Sequence, residues 1–339
     1  LKPGRKEFAM PILDGQDPLA LAAAADRLAG GGLVAFATET VYGLGARADD
    51  DAAVAAIFAA KGRPADHPLI VHVATMDAAR HFGDLSSAAA RTLAQQFWPG
   101  PLTLIVPRRE GVAGAAAGGQ ATLGVRMPSH PVAQALLQAA AARGVQGVAA
   151  PSANRFGRLS PTRASHVLEE LGPELMVLDG GDCTLGIESA IVDCTRAEPA
   201  LLRPGGLDRA ALEAALGRAL QAPGADAPRA SGTLQAHYAP RATLRVMPGE
   251  LLRQALQILH SAPGSSGLAV YSRTLRRAGP GILLERMPDE PAAAAHELYA
   301  VLRKLDAAGV RLIWVEAPPP DPAWEGVRDR LGRAAAAAA

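Results

Sequence analysis

The sequence predicts an α/β protein with two units, a mixed-sheet unit followed by a smaller α/β unit. Three observations predict it. Short apolar runs such as Leu33–Ala37, Leu69–Val73 and Leu102–Val106 have strand length and recur along the first two thirds of the chain. Capped helical segments alternate with them. A stretch rich in Pro, Gly, Ala and Ser, Gln221 to Ser231, interrupts the pattern, which then restarts.

The elements follow in order. Asp17-Pro18 opens a helix, with Asp as cap and Pro in the first turn, and Gly30-Gly31-Gly32 stops it. Leu33–Ala37 is a buried strand, and Thr38 to Gly45 reads as a loop of hydroxyls and glycine. Asp49 to Asp51 caps the next helix, whose apolar face is Val54, Ile57 and Phe58; it runs out at Lys61-Gly62-Arg63-Pro64. Leu69–Val73 is a strand and Ser86–Phe97 a helix. Leu102–Val106 and Thr122–Met127 are strands, Val132–Arg143 is a helix, and Val148–Ala150 is a strand running into Pro151-Ser152-Ala153-Asn154. Leu175–Leu178, Ala190–Val192 and Leu201-Leu202 are further strands. The spacing gives a first domain over 11–218, a linker over 219–241 and a second domain over 242–333. In the second domain, strands near Leu244, at Leu268–Tyr271 and at Leu312–Val315 alternate with helices at Leu251–Leu259, at Ala293–Leu305 and to about Leu331.

Composition removes several function classes. The 339 residues carry a formal net charge of +1, so no global basic signature marks a nucleic-acid or membrane binder. No apolar run reaches the ~18–20 residues that span a bilayer, and the basic start lacks the apolar core of a signal peptide. Residues 1–9 read as a leader with Met10 as the natural start, and Ala334–Ala339 as a frayed tail. Cys183 and Cys194 are too few for a disulfide scaffold and form no CxxC pair, which fits a reducing, cytoplasmic setting. Of 34 Lys and Arg only four are Lys, and between Lys6 and Lys304 only Lys61 is found.

Several constellations carry chemistry, each with a plain alternative. No GxxxxGK[ST] is present. Gly43-Leu44-Gly45-Ala46-Arg47-Ala48 matches GxGxxA, but lies past the strand rather than at a strand–helix turn. Lys61 and Arg63 suit a polyphosphate, as a point charge and a fork; equally they suit the solvated end of a helix. Ser152 and Asn154, past a strand end, suit phosphate or ribose, or an ordinary turn. Arg126 lies in an apolar strand and needs an anionic partner, either a ligand carboxylate or an internal Asp or Glu. His72, also in an apolar strand, reads first as a satisfied core histidine. Gly186-Ile187-Glu188-Ser189 and Leu202-Arg203-Pro204-Gly205 are two further loops.

Taken together these pieces form a pattern. Thr38-Glu39-Thr40-Val41-Tyr42-Gly43-Leu44-Gly45, Lys61-x-Arg63-Pro64, Pro68-Leu69-Ile70-Val71-His72 and Trp98-Pro99-Gly100-Pro101-Leu102-Thr103 come first. Val125-Arg126-Met127-Pro128, Ala150-Pro151-Ser152-Ala153-Asn154, Ser160-Pro161-Thr162 and Leu202-Arg203-Pro204-Gly205 follow in that order. The chain resembles the threonylcarbamoyl-AMP synthase family, over about Gly32 to Gly206. His237-Tyr238-Ala239-Pro240 and the second unit resemble its longer, two-domain branch. The resemblance implies a twisted mixed sheet of YrdC-like type, a large basic cavity, and a Rossmann-like C-terminal domain on a linker that folds over that cavity. It implies synthesis of threonylcarbamoyl-AMP and pyrophosphate from L-threonine, bicarbonate and ATP with Mg²⁺. The product would pass to a separate tRNA-threonylcarbamoyl transfer complex, with at most a weak tRNA contact and no membrane.

By the same resemblance Lys61 and Arg63 hold the triphosphate, and Thr122, Ser152, Asn154, Ser160 and Arg203 line the ATP site. Thr38, His72, Arg126, Ala150 and Ser189 hold threonine, with Arg126 on its carboxylate, and His237 and Tyr238 close the pocket. Ala37 stands where the family usually has Pro, Ala190 where Thr is usual, and Ser231-Gly232-Thr233-Leu234 where Pro-Gly-Met is common. Two other readings are weighed. Carbamoyl-adenylate chemistry belongs to longer proteins with zinc-type cysteine motifs, and an RNA-binding module would need a basic or aromatic repeat; this chain has neither.

Overall fold

A computed structural model describes residues 12–260 and 267–337. The first unit runs β1 (Ile12–Asp14), α1 (Pro18–Ala29), β2 (Val34–Phe36), β3 (Gly43–Arg47), α2 (Asp51–Lys61), β4 (Ile70–His72), α3 (Met76–Phe82) and α4 (Ala88–Phe97). It continues through β5 (Leu102–Pro107), β6 (Thr122–Arg126), α5 (Pro131–Ala141), β7 (Val148–Ala149), α6 (Ala164–Leu171), β8 (Met176–Asp179), β9 (Ala190–Asp193), β10 (Ala200–Arg203) and α7 (Arg209–Leu216). The second unit runs β11 (Thr243–Met247), α8 (Gly249–His260), β12 (Leu268–Ser272), β13 (Leu283–Arg286), α9 (Pro291–Ala307), β14 (Leu312–Glu316) and α10 (Glu325–Ala336).

The expected helix starts are present for the expected reason. Asp17 accepts from the Leu19 amide at 2.9 Å, and Asp50 accepts from the Ala52 and Ala53 amides at 3.0 Å each. These bonds satisfy amides that have no partner inside the helix. Helix α2 ends on Gly62, which takes the left-handed conformation at φ 62°.

Ten strands form one mixed sheet in the order β1-β8-β2-β3-β7-β4-β6-β5-β9-β10. The second unit is a parallel sheet in the order β11-β14-β12-β13, as an α/β domain of Rossmann-like type requires. Helices cover both faces of the large sheet: Val54, Ile57, Phe82 and Leu93 pack in one apolar layer, Leu28, Leu136 and Leu137 in another.

Three readings are corrected, and five elements are added. The Gly43–Arg47 part of the hydroxyl and glycine loop is a strand, antiparallel to β2, so the GxGxxA match sits within a sheet and opens no helix. Lys61 is the last residue of its helix, and only Arg63 lies in the loop beyond. Helices α3, α6 and α7 and strands β1 and β13 had no strong periodic signal, being at most eight residues long. The alanine run is no tail through Ala336: α10 continues to that residue, with Ala334 buried. Met10 lies outside the described residues.

The linker lies against the first unit. Leu220 is buried, and Gln221 exchanges backbone hydrogen bonds with Pro199 and Leu201. Further on, Ser231, His237 and Tyr238 are buried. Periodicity is lost there because the segment follows the surface it covers. No helix among the described residues is long and apolar enough to cross a membrane.

Candidate functional site

The sheet brings distant segments to one place. His72 ends β4 and lies in register with Arg126, the end of β6; Thr103, near the start of β5, is Arg126's other neighbour. Ser189 precedes β9, and Arg203 ends β10. The turn after β2 supplies Thr38 and Thr40, and the segment after β7 supplies Ala150 and Ser152. From the linker come Ser231, Gly232, His237 and Tyr238. These residues line one cavity, with Arg63 on its wall. Between them is a cavity of about 40 Å³, space enough for ordered water.

Hydrogen bonds fix the polar lining. Thr38 Oγ1 accepts from the Thr40 and Val41 amides at 3.2 Å each and donates to the Val41 carbonyl at 2.6 Å. Thr40 Oγ1 accepts from Arg126 Nη1 at 3.0 Å. Arg126 Nη2 stands 2.8 Å from Glu39 Oε1, and both side chains are buried. Thr103 and Ser189 hydroxyls lie 2.8 Å apart. Arg203 donates to the Ser189 carbonyl at 2.9 and 3.1 Å and to the Ser231 carbonyl at 2.8 Å, tying the linker to the cavity.

Burial sets the charge states. Desolvation pushes His72 down to about 3, and the nearby Arg126 charge adds to the push, so its imidazole is neutral. Desolvation likewise holds His237 at about 3, and its Nδ1 has no hydrogen-bond partner among the described residues. Burial pushes Lys61 well below the usual lysine range, and the neighbouring Arg63 charge works the same way. Arg63 itself is pushed down to about 10 by desolvation. Burial opposes ionisation of Glu188, but the charges of Arg330 and Arg203 outweigh it and hold the carboxyl at about 2.

Of the residues expected at the site, Thr38, Arg63, His72, Arg126, Ala150, Ser152, Ser189, Arg203, His237 and Tyr238 meet in the cavity lining. Lys61 lies just behind it. Its ammonium donates to the Ser152 carbonyl at 2.5 Å and to the Asn154 carbonyl. Asn154 is buried beside it, with its amide bonded to the Arg155 and Arg158 carbonyls and Oδ1 without a partner among the described residues. Ser160 reaches the cavity through Glu188, donating to Oε1 at 2.5 Å. Thr122 is apart: it starts β6, four residues from Arg126, roughly 13 Å along a strand.

Sequence reading named Glu39 and Glu188 only within motifs, without a role. A signal for Glu39 existed, since a buried Arg126 demands an acid and Glu39 is the one carboxylate in the Thr38–Gly45 segment. Nothing local points to Tyr299 and Arg330, which reach Glu188 from the second unit.

Comparison with known proteins agrees with this architecture. Residues 26–205 match the Sua5/yciO/yrdC family, described as "Telomere recombination", and residues 207–336 match "Threonylcarbamoyl-AMP synthase, C-terminal domain". The chain is 38% identical to the threonylcarbamoyl-AMP synthase of Pyrococcus abyssi, over 90% of each chain. It is 36% identical to that of Bacillus subtilis, over 89% of each. A doubly substituted P. abyssi Sua5 superposes with a TM-score of 0.87 at 34% identity, covering 97% of both chains. The structure of P. abyssi Sua5 complexed with L-threonine superposes at 0.85 with 35% identity, covering 94% of both. With both domains matched in order and nine tenths of its length shared with these relatives, the chain belongs to the threonylcarbamoyl-AMP synthase family.

Proposed function

We propose that the cavity condenses L-threonine, bicarbonate and ATP to threonylcarbamoyl-AMP and pyrophosphate, the activated donor for N6-threonylcarbamoyladenosine in tRNA. The observation that carries the reading is the convergence of Arg63, Arg126 and Arg203 with Thr38, Ser152, Ser189 and a neutral His72 around one cavity. Three cations suit a substrate pair that brings a triphosphate and a carboxylate.

In this reading Arg126 faces the threonine carboxylate, and Thr38, His72, Ala150 and Ser189 surround the amino acid. The threonine amine adds to carbon dioxide with loss of a proton, or displaces water from bicarbonate, and either way becomes a carbamate. A carbamate oxygen attacks the α-phosphorus in line, and the bond to pyrophosphate breaks. Lys61 and Arg63 face the triphosphate; Ser152, Asn154, Ser160 and Arg203 belong to the nucleotide side. No covalent intermediate on the enzyme is needed, so catalysis is placement and charge stabilisation. Mg²⁺ enters as part of the ATP substrate. The one carboxylate lining the cavity, Glu188, and Glu39 behind Arg126 are both engaged by arginines, so the phosphates themselves are the fitting ligands for the ion.

The carbamate is labile, and exclusion of water protects it. His237 and Tyr238 line the cavity from the linker, and in this reading the linker lifts for substrate entry and closes again. The product would pass to a tRNA-threonylcarbamoyl transfer complex. The test is pyrophosphate release from ATP with and without threonine and bicarbonate. Release that needs both supports the synthase. Release without threonine points to carbamoyl or plain nucleotide chemistry, and none from a folded chain that binds ATP points to a binding module.

A further inference from the structure

Glu188 is a wall residue of the cavity, one position before Ser189, yet the groups that hold it come largely from the second unit. Arg330 of α10 donates Nε to Glu188 Oε2 at 2.6 Å. Tyr299 of α9 donates to the same carboxylate, 3.0 and 3.2 Å from its two oxygens. The Arg330 guanidinium also donates Nη1 to the Pro204 carbonyl at 2.9 Å and lies 5.2 Å from the ring centre of Tyr238. One fully buried side chain of the second unit therefore touches the loop before β9, the loop after β10 and the linker.

Packing around this contact is close. A Cβ on Gly186 would lie 2.2 Å from the His296 carbonyl oxygen, and one on Gly326 would lie 3.0 Å from that of Gly205. Val41, Leu159 and Ile187 of the first unit share an apolar cluster with Leu298, Leu302 and Leu331 of the second. Apolar contact alone would join the two units at least as stably as a buried ion pair, whose desolvation offsets its attraction. What a guanidinium fork adds is direction: it holds several partners in one geometry.

We propose that Arg330, supported by Tyr299, is a positioning residue of the synthase site, fixing Glu188 and Tyr238 so that the second domain forms part of the cavity wall. The inference rests on the synthase reading above. It explains why a carboxylate stands in a cavity otherwise built for anions: Glu188 anchors the wall to the second domain and leaves Arg203 directed at Ser189 and Ser231.

The test uses the full chain with three variants: Arg330→Met, Arg330→Lys, and the Glu188→Gln/Arg330→Met double. The double variant removes both charges of the Glu188–Arg330 pair together, so it answers the question if Arg330→Met alone fails to fold. The double variant is expected to melt cooperatively and to lose at least tenfold in kcat. Amide exchange is expected to quicken in residues 186–190 and 231–240 and to stay unchanged in β11, β12 and β14. Arg330→Lys, which keeps the charge without the fork, is expected to recover part of the loss. A double variant with wild-type kcat and wild-type exchange in the linker overturns the positioning role. So does a loss accompanied by faster exchange throughout the second sheet, the mark of a purely structural contact. A wild-type chain that releases no pyrophosphate with threonine and bicarbonate overturns the synthase reading itself, and the positioning role with it.

Discussion

Arg126 and Glu39 form a buried ion pair, with Nη2 and Oε1 2.8 Å apart and both side chains less than a tenth exposed. The strand arginine thus has an internal acid, and the Glu39 carboxyl is held below its usual range: burial opposes this, and the Arg126 charge outweighs it. Arg126→Ala strands a buried carboxylate, at a cost of about 3–5 kcal/mol, so a rise in threonine KM would be mixed with lost stability. The double variant Arg126→Ala/Glu39→Gln separates the two effects. Its melting temperature is expected to recover towards wild type while the threonine KM stays raised at least tenfold. A KM that recovers along with stability would remove Arg126 from the threonine site.

Lys61 carries a second lesson. Its ammonium is buried, bonded to two carbonyls, and has no ion-pair partner among the described residues. Such a charge destabilises the fold unless a ligand compensates it. Lys61→Met is therefore expected to raise the melting temperature by a few degrees while lowering pyrophosphate formation at least a hundredfold. Arg63→Ala is expected to lose activity as well and remain folded. Unchanged turnover in both variants would refute the triphosphate role.

Acid should unfold this protein early. His72 and His237 are held near 3 against an ordinary value of 6.5, so the unfolded chain binds protons that the folded chain does not. Stability is then lost as pH falls below 6.5 and goes on falling towards 3. At pH 5 the loss is about 2 kcal/mol per histidine. Glu188, held near 2 against 4.5, adds a further loss below pH 4.5. Urea denaturation at pH 7 and pH 5 measures this, and His72→Gln/His237→Gln is expected to reduce the dependence in that window, with His166, held down to about 4 by burial, keeping part of it.

The linker closes on a position that admits only glycine. Gly232 has φ 72°, and a Cβ there would lie 2.0 Å from the Tyr238 hydroxyl oxygen and 2.8 Å from Arg203 Nη1. Gly232→Ala must displace the linker from the cavity. We expect kcat to fall on the order of tenfold, and trypsin to cleave faster after Arg229, whose side chain is half exposed. Global stability is expected to fall by more than about 1 kcal/mol, because alanine is strained at this positive φ.

What the sequence determined by itself is local. Alternating apolar runs and caps such as Asp17 and Asp50 set most of the strands and helices, because periodicity and capping involve neighbours a few residues apart. Motif order pointed to the family, and a lone arginine in an apolar strand announced that an anion must face it. Tertiary structure decided what those residues face. Arg126 meets Thr40 from 86 positions away, with Glu39 beside it, and Arg330 meets Glu188 across 142. Lys61 turns from the helix end towards the carbonyls of Ser152 and Asn154. Strand register and domain packing choose among the partners that a buried charge requires, and neither is written within any short stretch of chain.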